Sequence, residues 1–406
     1  YNGVSEVVHD LAWHEWLIDA NKLVKSKRIS SAIRTQYGPE VHQQLKQWLM
    51  DNATGDRAAA GANEKALAYI RQGVSISGLG LNVMSALVQP FGITQSFVRV
   101  GPKWVGRGLV KFTGSPLETT DVIHEKSDFM RTRALTRLRE ISELRSQVKG
   151  RTPARAAVEA SAYFLMMRAQ QLVDVPTWWG AYEKAISEGN NEDRAVALSD
   201  QAVIDAQGSG GIKDQSAIER GGPAIKLFTT FYSFFNTALN LGVQKTMNSE
   251  SKAKLAADYL LLYVVPVILV AAMKDALTPG DSGDWDDPEK MRKKLASEEI
   301  QYLFGLMFGV RELSGFAQAA TGTAQYPTDY SGPAGVRLLA DLAKLGKQIG
   351  QGELDDGLRK SLISVGGELL RLPSAQINRT ITGVNALRDG STENWGAILT
   401  GYQKPH

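Results

Sequence analysis

Four apolar stretches without a formal charge stand out in this chain, and their lengths limit what it can fold into. Gln72 to Val98 runs 27 residues, Leu227 to Gln244 18, Tyr259 to Met273 15 and Ile300 to Val310 11. An uncharged helix has no strongly solvated face, so neighbouring helices, another chain or lipid must cover it. A hydrocarbon core of about 30 Å takes roughly 20 helical residues. The most aliphatic stretch, YLLLYVVPVILVAAM, falls short at 15 residues and has Pro266 in its middle. The longest is long enough but studded with Gly, Ser, Asn and Gln. Within it Gly78, Asn82 and Ala86, four apart, predict a ridge that a second helix approaches closely. The core of a soluble bundle explains each stretch singly. Four together also fit a chain that is soluble at one stage and meets a membrane at another. Leu260, Leu261, Val264, Val265, Ile268 and Leu269 are then the lipid-contacting residues.

The periodicity is helical nearly throughout, and alternating Val/Ile/Thr/Tyr runs closed by Asn-Gly or Asp-Gly are missing. Pro stands behind a capping residue at Thr152-Pro153, Asp287-Pro288 and Gly332-Pro333. Ser115-Pro116-Leu117-Glu118 reads as a capping box. The expected fold is all-α, an elongated multi-helix bundle of roughly a dozen helices without significant sheet. The glycine-dense segment 208–222 predicts a linker between an N-terminal helical region, 1–207, and a C-terminal helical domain, 223–406. Further loops are expected at 278–290 and 321–333. The first residue is Tyr1, so the sequence is expected to be a processed product or part of a longer chain.

With 43% hydrophobic and 22% charged residues the composition is that of a globular protein, and a net charge of +3 confines any basic surface to a local patch. Lys126 to Arg155 holds nine Lys/Arg against three Asp/Glu, over an apolar seam of Leu135, Leu138, Ile141 and Leu144. Such a face is either the solvated side of a bundle helix or a contact for nucleic-acid phosphate or another anionic surface. In the second case Arg131, Arg133, Arg137, Arg139, Arg145 and Lys149 make the contact.

Catalytic signals are sparse. There is no cysteine, which excludes disulfides, thiolate metal sites and thiol nucleophiles. The five histidines are His9, His14, His42, His124 and His406. His14-Glu15 opens like H-E-x-x-H, but Ile18 stands where the second histidine belongs. Neither a nucleophile elbow, a Walker loop nor a dinucleotide fingerprint occurs, and no carboxylate pair is singled out. The expectation is a non-enzymatic chain without catalytic, cofactor or metal residues.

The stretch IKLFTTFYSFFNTALN, 225–240, separates on a helical wheel into two apolar seams. One is Ile225, Phe228, Tyr232, Phe235 and Leu239; the other is Leu227, Phe231, Phe234, Ala238 and Leu241. Together they make a surface too wide for the outside of a monomer. The block 221–246 resembles a helix near the C-terminal side of very large bacteriophage proteins. These are the internal virion, or DNA-ejection, proteins of short-tailed phages and the related polyvalent proteins of mobile elements. The resemblance rests on the breaker Gly222-Pro223, on Phe228, Phe231, Tyr232, Phe234, Phe235 and Asn236, and on the apolar helices expected at 259–273 and 300–310. It covers roughly 150–396.

The resemblance implies packaging inside the capsid around the portal, exit through the tail, and assembly of a conduit for DNA across the host envelope. The implied partners are copies of the chain, portal, tail and other ejection proteins, DNA, and host membrane after ejection. The implied locations are the virion interior and then the periplasm or inner membrane of the host. Enzymatic domains of parent chains are not carried over, because no such motif is present. An alternative is a membrane-active pore or effector protein using 259–273 and 300–310 as a helical hairpin.

Overall fold

The computed structural model describes residues 15–54, 61–136, 163–229, 232–249, 251–277, 289, 291–292, 334–351 and 355–402. Among these the fold is all-α, with many helices and no strand. A helix over 15–25, α1, leads to α2 (Lys27–Tyr37) and α3 (Pro39–Thr54). Then come α4 (Ala62–Leu79), α5 (Val83–Val88), α6 (Ile93–Val100), α7 (Pro102–Gly114), α8 (Pro116–Lys126) and α9 (Asp128–Thr136). Beyond 162 come α10 (Phe164–Ser187), α11 (Glu192–Gln207), α12 (Pro223–Phe228) and α13 (Tyr232–Asn248). Next, α14 (Lys252–Tyr259) passes through a π turn (Leu260–Val264) into α15 (Val265–Leu277). The last helices are α16 (Ala334–Gln351), α17 (Asp356–Leu370), α18 (Ser374–Arg388) and α19 (Ala397–Thr400).

Proline sets several starts, because its missing N–H costs nothing in a first turn. Pro102, Pro116 and Pro223 each sit in the first turn of a helix. The capping box expected at 115–118 does not form. Ser115 is the N-cap of α8, but its hydroxyl caps no backbone N–H, and its backbone lies at φ −148°, ψ 73°.

The 24-residue helix α10 is the axis of the first half. Val173, Val175 and Trp178 are buried, as are Pro176 and Gly180 on the same helix. It crosses α7 at a point where both helices lack side-chain bulk. A Cβ on Gly108 would stand 2.0 Å from the Pro176 carbonyl oxygen, and one on Gly180 would stand 2.4 Å from that of Trp104. Trp178 stacks on Tyr182 with ring centres 5.2 Å apart and donates its indole N–H to Asp200 of α11 at 2.7 Å. The same carboxylate oxygen accepts from Ser127 at 2.6 Å, and burial pushes the Asp200 carboxyl above its ordinary pKa.

A polar seam is buried along this axis. The Arg133 guanidinium forks onto Asp174 at 2.7 and 3.2 Å and donates to the Gly208 carbonyl at 2.8 Å. Gln170 donates to Asp174 at 2.9 Å and to Gln207 at 3.1 Å. Gln207 in turn reaches the Gly92 carbonyl and Ser96. The seam therefore holds α6, α9, α10 and α11 in one register through hydrogen bonds that strengthen one another in a medium of low polarity.

Two sequence expectations change here. The uncharged stretch 72–98 is not one helix. Leu81 takes a left-handed conformation at φ 52°, Asn82 caps α5 by accepting from the Ser85 N–H at 3.0 Å, and the chain bends by 79°. Gly78, Asn82 and Ala86 thus share no helical ridge, since the first precedes the bend and the last lies beyond it. The segment 208–222 is irregular apart from a short 3-10 turn, and it is tied down. Arg220 pairs with Asp51 at 2.7 Å, and the Lys213 carbonyl accepts from the Trp48 indole at 3.0 Å.

Helices from either side of that segment also pack on one another. Gly73 of α4 lies against α17, where a Cβ would stand 1.9 Å from the Glu368 carbonyl oxygen. Ser77 bonds Ser374, Gln376 accepts from the Val83 N–H, and Arg379 donates to Asn82.

Candidate functional site

The helix that begins at Lys252 is longer than its uncharged stretch. As one continuous element, Lys252–Met273 spans 22 residues, or about 33 Å at 1.5 Å per residue. Within Lys252–Met273 the charges, Lys252, Lys254 and Asp258, lie in the first two turns, and everything from Tyr259 to Met273 is uncharged; Lys274 and Asp275 follow in the last turn of α15. The length shortfall expected from the 15-residue stretch is thus removed by the helical residues in front of it. This is the one helix among the described residues that is long and apolar enough by itself to cross a bilayer.

Local chemistry explains its shape. Pro266 has no N–H to return to the Leu262 carbonyl, and one turn earlier the backbone widens. The Val265 N–H reaches back to the Leu260 carbonyl, five residues away, which makes the π turn. That turn directs Leu262 inward against Val98 of α6 and Leu241 of α13, all three buried.

The helix pairs with α13, and Ser251 caps α14 by accepting from the Lys254 N–H at 3.2 Å. Two tyrosines hold the pair together. Tyr263 donates to the Ala238 carbonyl at 3.3 Å, and Tyr259 bonds Thr246. Their rings meet edge to face at 5.5 Å. Gly242 gives Tyr263 its space: a Cβ there would stand 1.9 Å from the phenolic oxygen. In the last turn of α13, burial pushes the Lys245 ammonium below its ordinary pKa, and Asp258 opposes the shift.

The opposite side of the helix is bare. Only 22% of its most apolar 18-residue window is buried. Leu260 and Ile268, eight residues apart on one stripe, are 53% and 41% exposed, with Leu269 exposed beside them. Leu261, Val264 and Val265 are half-buried. Of the expected lipid-contacting residues, three therefore face outward and three lie at the hairpin margin. On α13, Val243 and Met247 are exposed as well.

The Phe-rich stretch is two helices rather than one. α12 ends at Phe228, Thr229 is a buried C-cap, and α13 starts at Tyr232. Of the expected packing residues, Phe235 and Asn236 are half-buried on α13, while the side chains of Phe228, Phe231, Tyr232 and Phe234 lie outside the described residues. The seam that turns inward is the one carrying Leu227, Ala238 and Leu241, all buried; Ile225 of the other seam is 44% exposed.

The basic stretch is corrected at one position and broken at another. Arg133 offers nothing to an outside anion, because it is 2% exposed and spent on Asp174 and Gly208. Arg131, two residues earlier, is exposed and pairs with Asp128 at 2.6 Å. Ser127 interrupts the helix between α8 and α9. Arg137, Arg139, Arg145 and Lys149 lie outside the described residues, as does 300–310.

Among the described residues, no group of three or more His, Asp or Glu is placed to hold a metal ion. His42 is buried with its ring nitrogen 3.1 Å from the Val24 carbonyl, a structural position. What this arrangement defines is an all-α chain bearing a membrane-length helix with one uncovered apolar face. Comparison with family models, curated proteins and solved structures finds no match for it.

Proposed function

We propose that the chain is a non-enzymatic segment of a phage internal virion, or ejection, protein. In this reading it lies inside the virion with copies of itself and with portal, tail and other ejection proteins, and contacts DNA. After release it helps form a conduit for the genome across the host envelope. The observation that carries the reading is the helix Lys252–Met273: 22 residues, uncharged beyond Asp258, with its Leu260–Ile268 stripe bare. A face of that kind needs a covering, and a copy of the chain in the virion and lipid after release each supply one. The Phe-rich block 221–246 and its resemblance to ejection proteins support the phage setting.

The specific alternative is a membrane-active effector. It is favoured by the α13–α15 hairpin, which presents exposed apolar residues on both of its arms. Chemical cross-linking of the full chain, with and without vesicles, separates the two. The ejection reading predicts a closed ring of fixed copy number and no ion conductance by single copies. A monomer that conducts ions in planar bilayers overturns it in favour of the effector.

A further inference from the structure

We propose that the outer face of α7 is a contact surface for the backbone of single-stranded nucleic acid, a place the basic stretch at 126–155 did not indicate. Lys103, Arg107 and Lys111 recur every four residues along α7, and the helix contains no carboxylate. Each step of four advances about 6 Å along the axis, close to the separation of successive phosphates in an extended strand. The cations are interleaved with aromatic planes. Lys103 and Arg107 lie 4.9 and 5.0 Å from the centre of the Trp104 ring, and Lys111 lies 5.5 Å from that of Trp179. The rings pack on the core beneath and hold the cations in a fixed row, and a positive track of this kind follows the backbone of a single strand without sequence preference.

The acidic neighbours leave most of this charge available. Glu183 accepts from the Trp179 indole at 2.9 Å and approaches Arg107 at 3.6 Å, with Arg107 exposed and Glu183 half-buried. Neither Lys103 nor Lys111 has a carboxylate in ion-pairing reach among the described residues. The ridge is also approachable, since nothing stands within 4 Å of a Cβ built on Gly106. Its inner side is clamped by the Gly108–Pro176 crossing, so α7 is a fixed rail. That favours a polymer running over it rather than a bilayer, into which an interfacial helix must sink its apolar face.

The proposal rests on DNA being among the partners of the proposed function, and the test separates the two. The full chain is titrated into a labelled oligothymidylate of about 20 nucleotides between about 50 and 200 mM salt, read by fluorescence anisotropy. The variant Lys103→Gln/Arg107→Gln/Lys111→Gln should bind at least about tenfold more weakly, with its log–log salt slope shallower by about 2. Its circular dichroism should match wild type, and Arg28→Gln, exposed on α2 and off the ridge, should bind as wild type. The proposal is overturned if the triple variant binds like wild type, if Arg28→Gln weakens binding equally, or if wild type does not bind. Binding to phosphatidylglycerol vesicles that the triple variant loses, without oligonucleotide binding, assigns the ridge to lipid and also overturns it. A chain that enters vesicles yet ignores the oligonucleotide loses the ridge and keeps the membrane part of the proposed function.

Discussion

Arg133 and Asp174 are the pair on which the first half of the molecule turns. Both are buried, and Gln170 and the Gly208 carbonyl complete their hydrogen bonding. Removing one partner strands the other in a medium that solvates it poorly. Arg133→Met should therefore cost about 3–5 kcal/mol in urea denaturation, while Arg133→Met/Asp174→Leu should recover much of that loss. Additive losses in the double variant would contradict a coupled pair. The contrast with Arg131 shows what composition conceals. Two residues apart on a helix means about 200° around its axis, so neighbouring arginines of one basic run meet opposite environments. Nine cations against three acids set the charge of the stretch but not its direction, because direction depends on where the Asp174 carboxylate comes to lie, 41 residues away.

Among the elements, the helical hairpin depends on the absence of a side chain at position 242. Gly242→Val would drive a methyl group into the Tyr263 hydroxyl and force the arms apart, at a cost of about 1–3 kcal/mol in thermal or urea unfolding. Unchanged stability together with an unchanged tyrosine environment would contradict the close approach. The helical class and the apolar character of 259–273 are legible in periodicity and charge. The true extent of that helix is not. Counting uncharged residues stops at Asp258, whereas helix formation tolerates charges in a first turn that faces water, so Lys252–Asp258 belongs to the same rod. The bend in 72–98 is hidden for the opposite reason. Gly80, Asn82 and Pro90 interrupt an apolar run whose composition alone favours continuity. The Phe-rich stretch likewise reads as one wheel, but Thr229 closes α12 before α13 begins.

At the scale of the whole molecule, the Gly-rich segment 208–222 marks a change of structure without isolating the helices beyond it. α4 packs against α17, and Ser77 meets Ser374 across 297 residues of sequence. Contacts of that separation leave no local trace, which is why glycine density suggests a boundary and cannot report the packing across it. Among the described residues, a core organised around α10 is thus combined with one membrane-length helix whose apolar stripe is uncovered. The proposed conduit requires that stripe to enter lipid. The absence of any native cysteine lets Ile268→Cys carry a single environment-sensitive fluorophore in the full chain. On addition of phosphatidylglycerol-containing vesicles, the account predicts a blue-shifted emission that is quenched by nitroxides on the lipid tails and not by aqueous iodide. An emission that stays at its aqueous position and remains open to iodide would contradict it.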